Sequence, residues 1–467
     1  MKNNKFSTLA ICLCIVLCQV NSSAEPNPKN IILMIGDGMG PAHIKAFRIF
    51  NNDPSTPGID DLIWDQYLVG QLSTDAGIPA GTISTSEQSG RAISTGLVSD
   101  YADKDSYQVT DSAASATAYS TGRRTLNRAI AVDTTKQKVL TILEQAKRVG
   151  KKVGLVATSQ IVHATPAAFI AHVDDREKYN EIADQFVDNQ FSGKPLLDVM
   201  LGGGWQYFDR HDRNLINELK GYGYSIFRTK QQLVSSKTPV AGLFADVEIP
   251  QVKDRGVQHP SLRDMSQYAL DHLKNSEKGF FLMIEGSQID WASHDNDIAG
   301  TLYEMKDFND AIEAVLTFAR NSKDTLVLIT ADHETGGLSV GARHQDTDYY
   351  EFDVQPVKKL TKSIAAYANE ALNNNNINTF VNDLNISLTT REQQALAQLL
   401  KSREQYPIQL FLGRLLNRVT YTGWTTLGHT GVDVNLYAFG PGSEVFRGYH
   451  RNSFIGQQIM YWLNSKN

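Results

Sequence analysis

The sequence predicts an α/β fold: a doubly wound, mostly parallel sheet flanked by helices, with an inserted cap or interface region. Short apolar runs end abruptly in polar or glycine-bearing turns, and stretches with a helical period lie between them. Such runs, bounded by residues that break regular structure, are typical of fully buried strands. Strands that alternate with helices favour a parallel sheet covered on both faces. In this architecture ligands bind at the carboxyl ends of the strands.

Five apolar runs are predicted strands. They are NIILMIGDG near Asp37, KVGLVAT near Thr158, FFLMIEG near Glu285, TLVLITADHE near Asp332 and VNLYAFGPG near Gly440. The helical period predicts helices over 139–148, 262–274 and 307–319.

Two segments depart from this alternation. The stretch 73–106 is rich in Ser, Thr and Gly and is predicted to be a loop. The segment from 341 to about 422 has few strand-like runs and contains the helix-like TTREQQALAQLLKSREQ, so we interpret it as an insertion between two core strands. Two interpretations of it stay open. In the first, the segment covers the site or joins subunits. In the second, it is a polar helical cap that contributes only to the shape of the molecule.

The first 24 residues have the layout of a secretory signal peptide. Lys2 and Lys5 precede an apolar run, and small residues up to Ala24 precede Glu25. We therefore expect a periplasmic or secreted protein without a membrane anchor after cleavage, with residues 25–467 as one domain. The cysteines, all three of them in this segment, are Cys12, Cys14 and Cys18. The mature chain would hold no disulfide.

The charge balance excludes one class of partner. Of the 467 residues, 45 are Lys or Arg and 51 are Asp or Glu, a net charge of -6. This mildly acidic balance argues against a nucleic-acid partner and against long-range attraction of anions. Any anion site must therefore be local.

The stretch VTDSAASATA places a serine where a helix begins. Asp111 is a suitable N-cap, and Ser112 would occupy the first helical position. Backbone N–H groups and the helix dipole favour an anion there. Taken alone, the stretch is better explained as the cap of an alanine-rich helix.

Acids and histidines follow the predicted strands. Asp37, Glu285 and Asp332 would crowd like charges at one edge of the sheet unless cations neutralise them. Asp290 and His294 stand four apart, which places both on one helix face. His333 adjoins Asp332, and His429 lies beside glycines just before the last predicted strand. With no cysteine available, imidazoles and carboxylates suit a catalytic zinc. The other histidines receive no role: His43, His172, His211, His259, His272, His344 and His450.

The stretch HATPAAFIAHVDDRE adds an anion-binding candidate. His163 and Thr165 offer a nitrogen and a hydroxyl at alternating positions, and Arg176 carries a planar fork that can hold two phosphate oxygens. The alternative for Arg176 is an ordinary surface pair with Asp174 or Asp175.

Six motifs together resemble the alkaline phosphatase family. They are MIGDGMG, VTDSAASATAYSTG, ATPAAFIAHVDDR, IEGSQIDWASH, LITADHETGG and LGHTG, and they span Asp37 to His429. The resemblance implies that Ser112 is the nucleophile and becomes phosphorylated, and that Arg176 clamps the phosphate. It implies one zinc ion held by Asp290, His294 and His429, and a second held by Asp37, Asp332 and His333. It also implies a third metal, usually magnesium, held by Asp37, Thr165 and Glu285.

Two positions depart from a branch of this family. His163 stands where some bacterial members have aspartate, which adds an imidazole to the candidate metal ligands and puts magnesium in doubt. Trp291 stands where other members carry lysine or histidine. A neutral indole would hold phosphate less strongly, so Trp291 and His163 are candidate substrate-binding residues.

The resemblance implies hydrolysis of small phosphate monoesters by a protein that is commonly a homodimer. Coordination to Zn²⁺ can hold a serine hydroxyl as an alkoxide without a histidine base. Phosphodiesterases and sulfatases of a related fold are one alternative, which Arg176 and Glu285 disfavour. A non-catalytic phosphate- or zinc-binding protein is another, and it would predict a damaged nucleophile or ligand.

Overall fold

The computed structural model describes residues 27–78, 107–234, 236–342 and 351–465. The predicted signal peptide, His344 and most of the predicted loop 73–106 lie outside the described residues. The strands are β1 Asn30–Gly36, β2 Leu68–Leu72, β3 Lys152–Gln160, β4 Gln190–Phe191, β5 Lys194–Pro195, β6 Val199–Gly203, β7 Ser225–Phe227, β8 Val240–Leu243, β9 Phe280–Gly286, β10 Thr325–Thr330, β11 Glu334–Thr335, β12 Ser339–Val340, β13 Thr422–Gly423, β14 His429–Thr430, β15 Val434–Phe439 and β16 Gly448–His450.

The helices of the described residues alternate with these strands. They are α1 Pro41–Phe50, α2 Ser112–Thr121, α3 Ile142–Arg148, α4 Ala164–Ala167, α5 Tyr179–Asp188, α6 Trp205–Phe208, α7 Leu215–Gly221, α8 Leu262–Leu273, α9 Gln288–His294, α10 Ile298–Asn321, α11 Gln355–Lys359, α12 Ile364–Asn374, α13 Asn378–Leu384, α14 Thr390–Ser402, α15 Gln405–Thr420 and α16 Ser453–Asn464. None of the helices in the described ranges is both long and apolar enough to cross a bilayer.

A ten-stranded sheet forms the centre of the molecule, in the order β16-β2-β15-β10-β1-β9-β3-β6-β8-β7. Strand β15 runs antiparallel to both of its neighbours, and the other pairs are parallel. The predicted α/β class with a mostly parallel sheet is confirmed. Every residue of β1, β9 and β10 is buried, as the apolar runs indicated. The run near Gly440 is β15, which is not the last strand, because β16 follows it and pairs with β2.

The helix boundaries follow from capping side chains. Helix α3 begins at Ile142 because the Thr141 hydroxyl accepts from the backbone N–H of Glu144, in a capping box. The predicted helix 307–319 lies within α10, mostly in its C-terminal half. That helix starts earlier because the Asp297 carboxylate accepts from the backbone N–H groups of Ala299 and Gly300. The predicted helix 262–274 is confirmed as α8, Leu262–Leu273.

The helices cover both faces of the sheet and bury large apolar side chains against it. Phe169, in the turn after α4, stacks on Phe281 of β9 with ring centroids 5.8 Å apart, and Phe308 of α10 is 1% exposed. Burial of such a side chain stabilises the fold by about 1.5–3 kcal/mol. The buried strands therefore hold their carboxyl ends in a rigid frame.

The helices α11 to α15 occupy most of the segment predicted as an insertion. The segment lies between β10 and β15, and its ends are joined by the antiparallel pair β12 and β13. The helix-like run is confirmed as α14. Helix α15 buries Leu412 and Leu416, and its contacts with the turn after α9 bring the inserted segment close to the candidate site.

Candidate active site

Ser112 is the first residue of α2, and the predicted cap is confirmed. The Oδ1 atom of Asp111 accepts from the backbone N–H of Ala114 at 2.9 Å. All residues of α2 are buried, and Ser112 is 1% exposed. The Ser112 Oγ atom lies 3.2 Å from Nε2 of His333, and Ser115 donates to the backbone carbonyl of Asp332 at 2.9 Å. The small side chains of α2 thus let the helix start lie against the segment that carries Asp332 and His333.

The predicted meeting of three acids at one edge of the sheet is confirmed. In the parallel register Ile35 of β1 pairs with Glu285 of β9, and the backbone N–H of Asp37 donates to the Gly286 carbonyl at 3.2 Å. Asp332 follows β10, on the other side of β1, and its Oδ1 accepts from the backbone N–H of Gly38 at 3.1 Å. Asp37, Glu285 and Asp332 are fully buried.

These carboxylates have the properties of cation ligands. Within the described residues, both oxygens of Asp37, both of Glu285 and Oδ2 of Asp332 have no hydrogen-bond partner. Burial, with repulsion from Asp332 and other neighbouring acids, raises the pKa of Asp37 well above its usual range. Burial raises the pKa of Glu285 to about 8 and, with repulsion from Asp290, that of Asp332 to about 7. Buried, unpaired carboxylates are costly without a cation, so the donor set fits bound metal.

A second cluster joins α9 to the segment that carries His429. The Nε2 atom of His294 lies 3.3 Å from Oδ2 of Asp290 and 3.1 Å from Nε2 of His429, which is 3.7 Å from Oδ1 of Asp290. The Nδ1 atoms of the two histidines face backbone carbonyls, those of Leu427 and Thr110. Carbonyl partners at Nδ1 fix the tautomer in which Nε2 carries the lone pair that binds a metal. Burial opposes the charge on Asp290, but His294 and His429 hold its pKa well below the usual range.

His333 lies between the two clusters. Its Nε2 atom is 3.5 Å from Oδ1 of Asp37 and 3.3 Å from Oδ2 of Asp332. Its ring stacks on that of His429, with centroids 3.5 Å apart. His333 belongs to two sets of residues whose ligand atoms all lie within 4.8 Å of one another. They are Asp37, Asp332 and His333, and Asp290, His333 and His429. The first of these is a predicted set. The second has His333 where the resemblance implied His294, which lies beside it.

His163 and Thr165 lie next to the acids of β1 and β9. One ring nitrogen of His163, a carboxylate oxygen of Asp37 and a carboxylate oxygen of Glu285 all lie within 4.8 Å of one another. The Thr165 hydroxyl is fully buried and has no hydrogen-bond partner within the described residues. Burial, together with the charge of Arg176, lowers the pKa of His163 to about 3. The imidazole is therefore neutral and able to act as a ligand.

The guanidinium of Arg176 is buried at 4% exposure, rather than on a helix surface. Its Nη1 donates to Oδ2 of Asp111 at 3.1 Å, and its Nη2 donates to Nε2 of His163 at 2.9 Å. Trp291 of α9 is partly buried, and its ring lies edge-on to that of His163, with centroids 5.5 Å apart. Arg176, His163 and Trp291 thus lie together beside the start of α2.

Two further buried residues lie beside this site and were not predicted from the sequence. Glu334 follows His333, and its carboxylate accepts from the Thr430 hydroxyl. His43, which received no role, is fully buried against α9, where its Nε2 lies 3.0 Å from the Ser293 hydroxyl. Burial lowers the pKa of His43 to about 3. No local spacing marks either residue, although Glu334 stands inside the quoted motif LITADHETGG.

The fold and this constellation define a metal-dependent hydrolase: a buried serine at a helix start, facing buried carboxylates and imidazoles at the carboxyl edge of a parallel sheet. The family model for alkaline phosphatase matches residues 28–465. The chain belongs to the alkaline phosphatase family, and it is a phosphoric monoester hydrolase.

Individual relatives agree with this assignment. Alkaline phosphatase 3 of Bacillus subtilis is 42% identical over 436 residues, which cover 92% of this chain and 88% of the relative. The crystal structure of a cold-active alkaline phosphatase from Shewanella sp. is 38% identical, with a TM-score of 0.80, over 93% of this chain and 100% of that one. A TAB5 alkaline phosphatase variant with a histidine replaced by aspartate is 28% identical, with a TM-score of 0.66, over 95% of this chain and 100% of that one. That structure has magnesium bound in its M3 site.

Proposed function

We propose that this enzyme hydrolyses small phosphate monoesters through a covalent phosphoserine on Ser112, with two zinc ions and a third metal. The observation that carries the proposal is the position of the Ser112 hydroxyl, at the start of α2 and 3.2 Å from Nε2 of His333, beside carboxylates without hydrogen-bond partners. A nucleophile there would face both a helix N-terminus and cations.

The residues proposed to hold the metals follow the two clusters. Asp290, His294 and His429 would bind one zinc ion, and Asp37, Asp332 and His333 the other. The third metal, magnesium in our proposal, would take Asp37, Thr165 and Glu285, with His163 as a further ligand. When bound, these ions supply Lewis acidity, which lowers the pKa of a hydroxyl group or water and stabilises charge on oxygen.

The reaction of the chain's own residues is a double displacement. The Oγ atom of Ser112 gives up its proton to solvent and forms a bond to phosphorus while the bond from phosphorus to the ester oxygen breaks. The alcohol leaves with that electron pair and takes up a proton. A water oxygen then bonds to phosphorus, the bond to Oγ breaks, and the serine recovers a proton as inorganic phosphate leaves. Arg176 would hold two phosphate oxygens throughout, since Asp111 and His163 orient its guanidinium.

The alternatives have less support. A buried Arg176 beside the serine suits the doubly charged phosphate of a monoester better than the singly charged group of a diester or a sulfate ester. A binding protein without catalysis would not need a nucleophile at the start of a buried helix. The similarity to alkaline phosphatases over nearly the whole chain favours the monoesterase.

Export and assembly also stay predictions. The signal peptide, the periplasmic or secreted location and the homodimer follow from the sequence and from the family resemblance. Helices α11 to α15 are our candidate subunit contact. Sedimentation at micromolar concentration would give a dimer mass if this is right, and a monomer would contradict it.

The experiment is hydrolysis of p-nitrophenyl phosphate from neutral to strongly alkaline pH, before and after chelation, with zinc and magnesium added back singly and together. We expect activity to vanish on chelation and to return fully only with both metals. Ser112→Ala should be inactive, whereas Ser120→Ala, which removes a buried hydroxyl at the far end of α2, should stay active. Labelled phosphate should be recovered on Ser112. Activity that survives chelation or the Ser112→Ala change would contradict the proposal.

A further inference from the structure

Glu334 is a buried carboxylate that the proposed reaction does not use. It directly follows His333 and is 3% exposed. Its Oε2 accepts from the backbone N–H of Gly337 at 3.2 Å, and its Oε1 accepts from that of Leu338 at 3.1 Å. These bonds hold the carboxylate in place from its own segment.

The remaining contacts of Glu334 reach other parts of the site. Its Oε2 also accepts from the hydroxyl of Thr430, the residue after His429. In the short antiparallel pair of β11 and β14, Glu334 lies opposite Thr430, and Thr335 lies opposite His429. Glu334 therefore joins the segment of His333 to the segment of His429.

A third segment packs against the same side chain. A β-carbon at Gly40 would lie 2.1 Å from Cγ of Glu334, so only glycine fits there. Gly40 stands in the turn that follows Asp37, and the backbone N–H of Thr335 donates to the Gly38 carbonyl in this turn at 3.2 Å. Three segments that carry proposed metal ligands thus meet at Glu334.

The segment that carries His429 has only a short backbone ladder. His429 lies between Gly428 and Gly431, in a strand of two residues with two ladder pairs. Glycine-flanked backbone has many accessible conformations. The hydrogen bond from Thr430 to the Glu334 carboxylate is part-buried, and bonds to a carboxylate contribute more than those between neutral groups.

We propose that Glu334 is a positioning residue, whose bond to Thr430 fixes the His429 imidazole towards Asp290 and His333. The inference rests on the proposed function to the extent that His429 holds a metal. Partners that orient a metal ligand typically change metal affinity by 10–100-fold when they are removed.

The test compares two changes at one position of the purified holoprotein. Thr430→Val removes the hydroxyl and keeps the shape, whereas Thr430→Ser keeps the hydroxyl. We expect Thr430→Val to release one equivalent of zinc to a chromogenic chelator about 10–100-fold faster than the unchanged protein, and Thr430→Ser to resemble the unchanged protein. The unfolding temperature of the metal-free protein should be nearly the same in all three.

A second measurement separates positioning from general stability. Glu334→Leu removes both acceptor oxygens at a similar volume, and its effect on zinc release should be non-additive with that of Thr430→Val, because both changes remove the bond between Glu334 and Thr430. The inference would be overturned if Thr430→Val and the unchanged protein released zinc at the same rate. It would also be overturned if Thr430→Ser released zinc as fast as Thr430→Val. A metal-free Thr430→Val protein that unfolds at a clearly lower temperature than the metal-free unchanged protein would also overturn it, because the bond would then support stability in general. An unchanged protein that hydrolyses the monoester but binds no zinc would overturn the proposed metal set as well.

Discussion

Asp111 binds Arg176 and caps the serine helix with the same carboxylate. Its Oδ2 accepts from Nη1 of Arg176 at 3.1 Å and from the backbone N–H of Arg128 at 3.0 Å, while Oδ1 accepts from that of Ala114 at 2.9 Å. One side chain therefore sets both the start of α2 and the orientation of the proposed phosphate clamp. Asp111, the residue before the proposed nucleophile, therefore acts as a support for both.

Replacement of Asp111 should separate these two effects. In Asp111→Asn the amide oxygen can still cap α2, but the amide nitrogen then faces two donors, so KM for p-nitrophenyl phosphate should rise about tenfold or more. Asp111→Ala should raise KM as well and also lower the free energy of unfolding by about 0.5–2 kcal/mol through loss of the cap. Steady-state kinetics and thermal unfolding check both. An unchanged KM in Asp111→Asn would contradict the positioning of Arg176.

Trp291 offers a test of phosphate release. We expect Trp291→Lys to bring a positive charge near His163 and Arg176, to lower KM and to tighten inhibition by inorganic phosphate, while kcat falls because product leaves more slowly. Trp291→Phe is the control, since it keeps an uncharged ring. Phosphate inhibition that is the same in all three proteins would count against this role.

His163 should determine the preference of the third metal. Mg²⁺ prefers oxygen ligands, and imidazole suits zinc better. His163→Asp should therefore retain more magnesium after dialysis and depend more strongly on added magnesium for activity. Metal analysis of both proteins, dialysed side by side, decides it, and equal magnesium contents would contradict the prediction.

The inserted helix α15 should contribute to the site through the turn after His294. The Nδ2 atom of Asn417 donates to the Asn296 carbonyl at 2.9 Å, and Gln409 donates to Oδ2 of Asp295 at 2.6 Å. Asn417→Ala should cost about 1 kcal/mol of stability and lower kcat/KM. Arg414→Ala, an exposed change on the same helix, is the control and should alter neither. Equal kcat/KM in the two variants would contradict this prediction and indicate that α15 contributes only to the shape of the molecule.

Glu304 should make the stability depend on pH. Burial, offset in part by Arg255, raises its pKa to about 7 from an ordinary value of 4.5. The folded state then binds more protons than the unfolded state between these pH values, so the free energy of unfolding falls as pH rises through this window. The loss that Glu304 contributes is at most about 3 kcal/mol. Glu304→Gln keeps an acceptor for the backbone N–H of Val252 and should show a shallower fall between pH 5 and pH 8 in chemical denaturation.

Local patterns in the sequence determined the central strands and most of the candidate site. The runs of β1, β9 and β10 are readable because both faces of these strands are buried, which leaves an uninterrupted apolar stretch followed by an acid. Asp290 and His294 lie on one face of α9 because of their spacing, and the Asp111 cap follows from residue type.

The tertiary structure alone decided how these local pieces meet. The place of His333 between two clusters, the bond from Thr430 to Glu334 and the contact of α15 with the turn after His294 join segments far apart in the chain. The outer strands β6, β7 and β8 are too short to stand out, and β6 and β8 also contain glycine. Hydrophobic periodicity records which face of an element is buried. The same periodicity does not show which distant segment that face contacts, because many segments share one pattern and the partner is decided only when the segments pack.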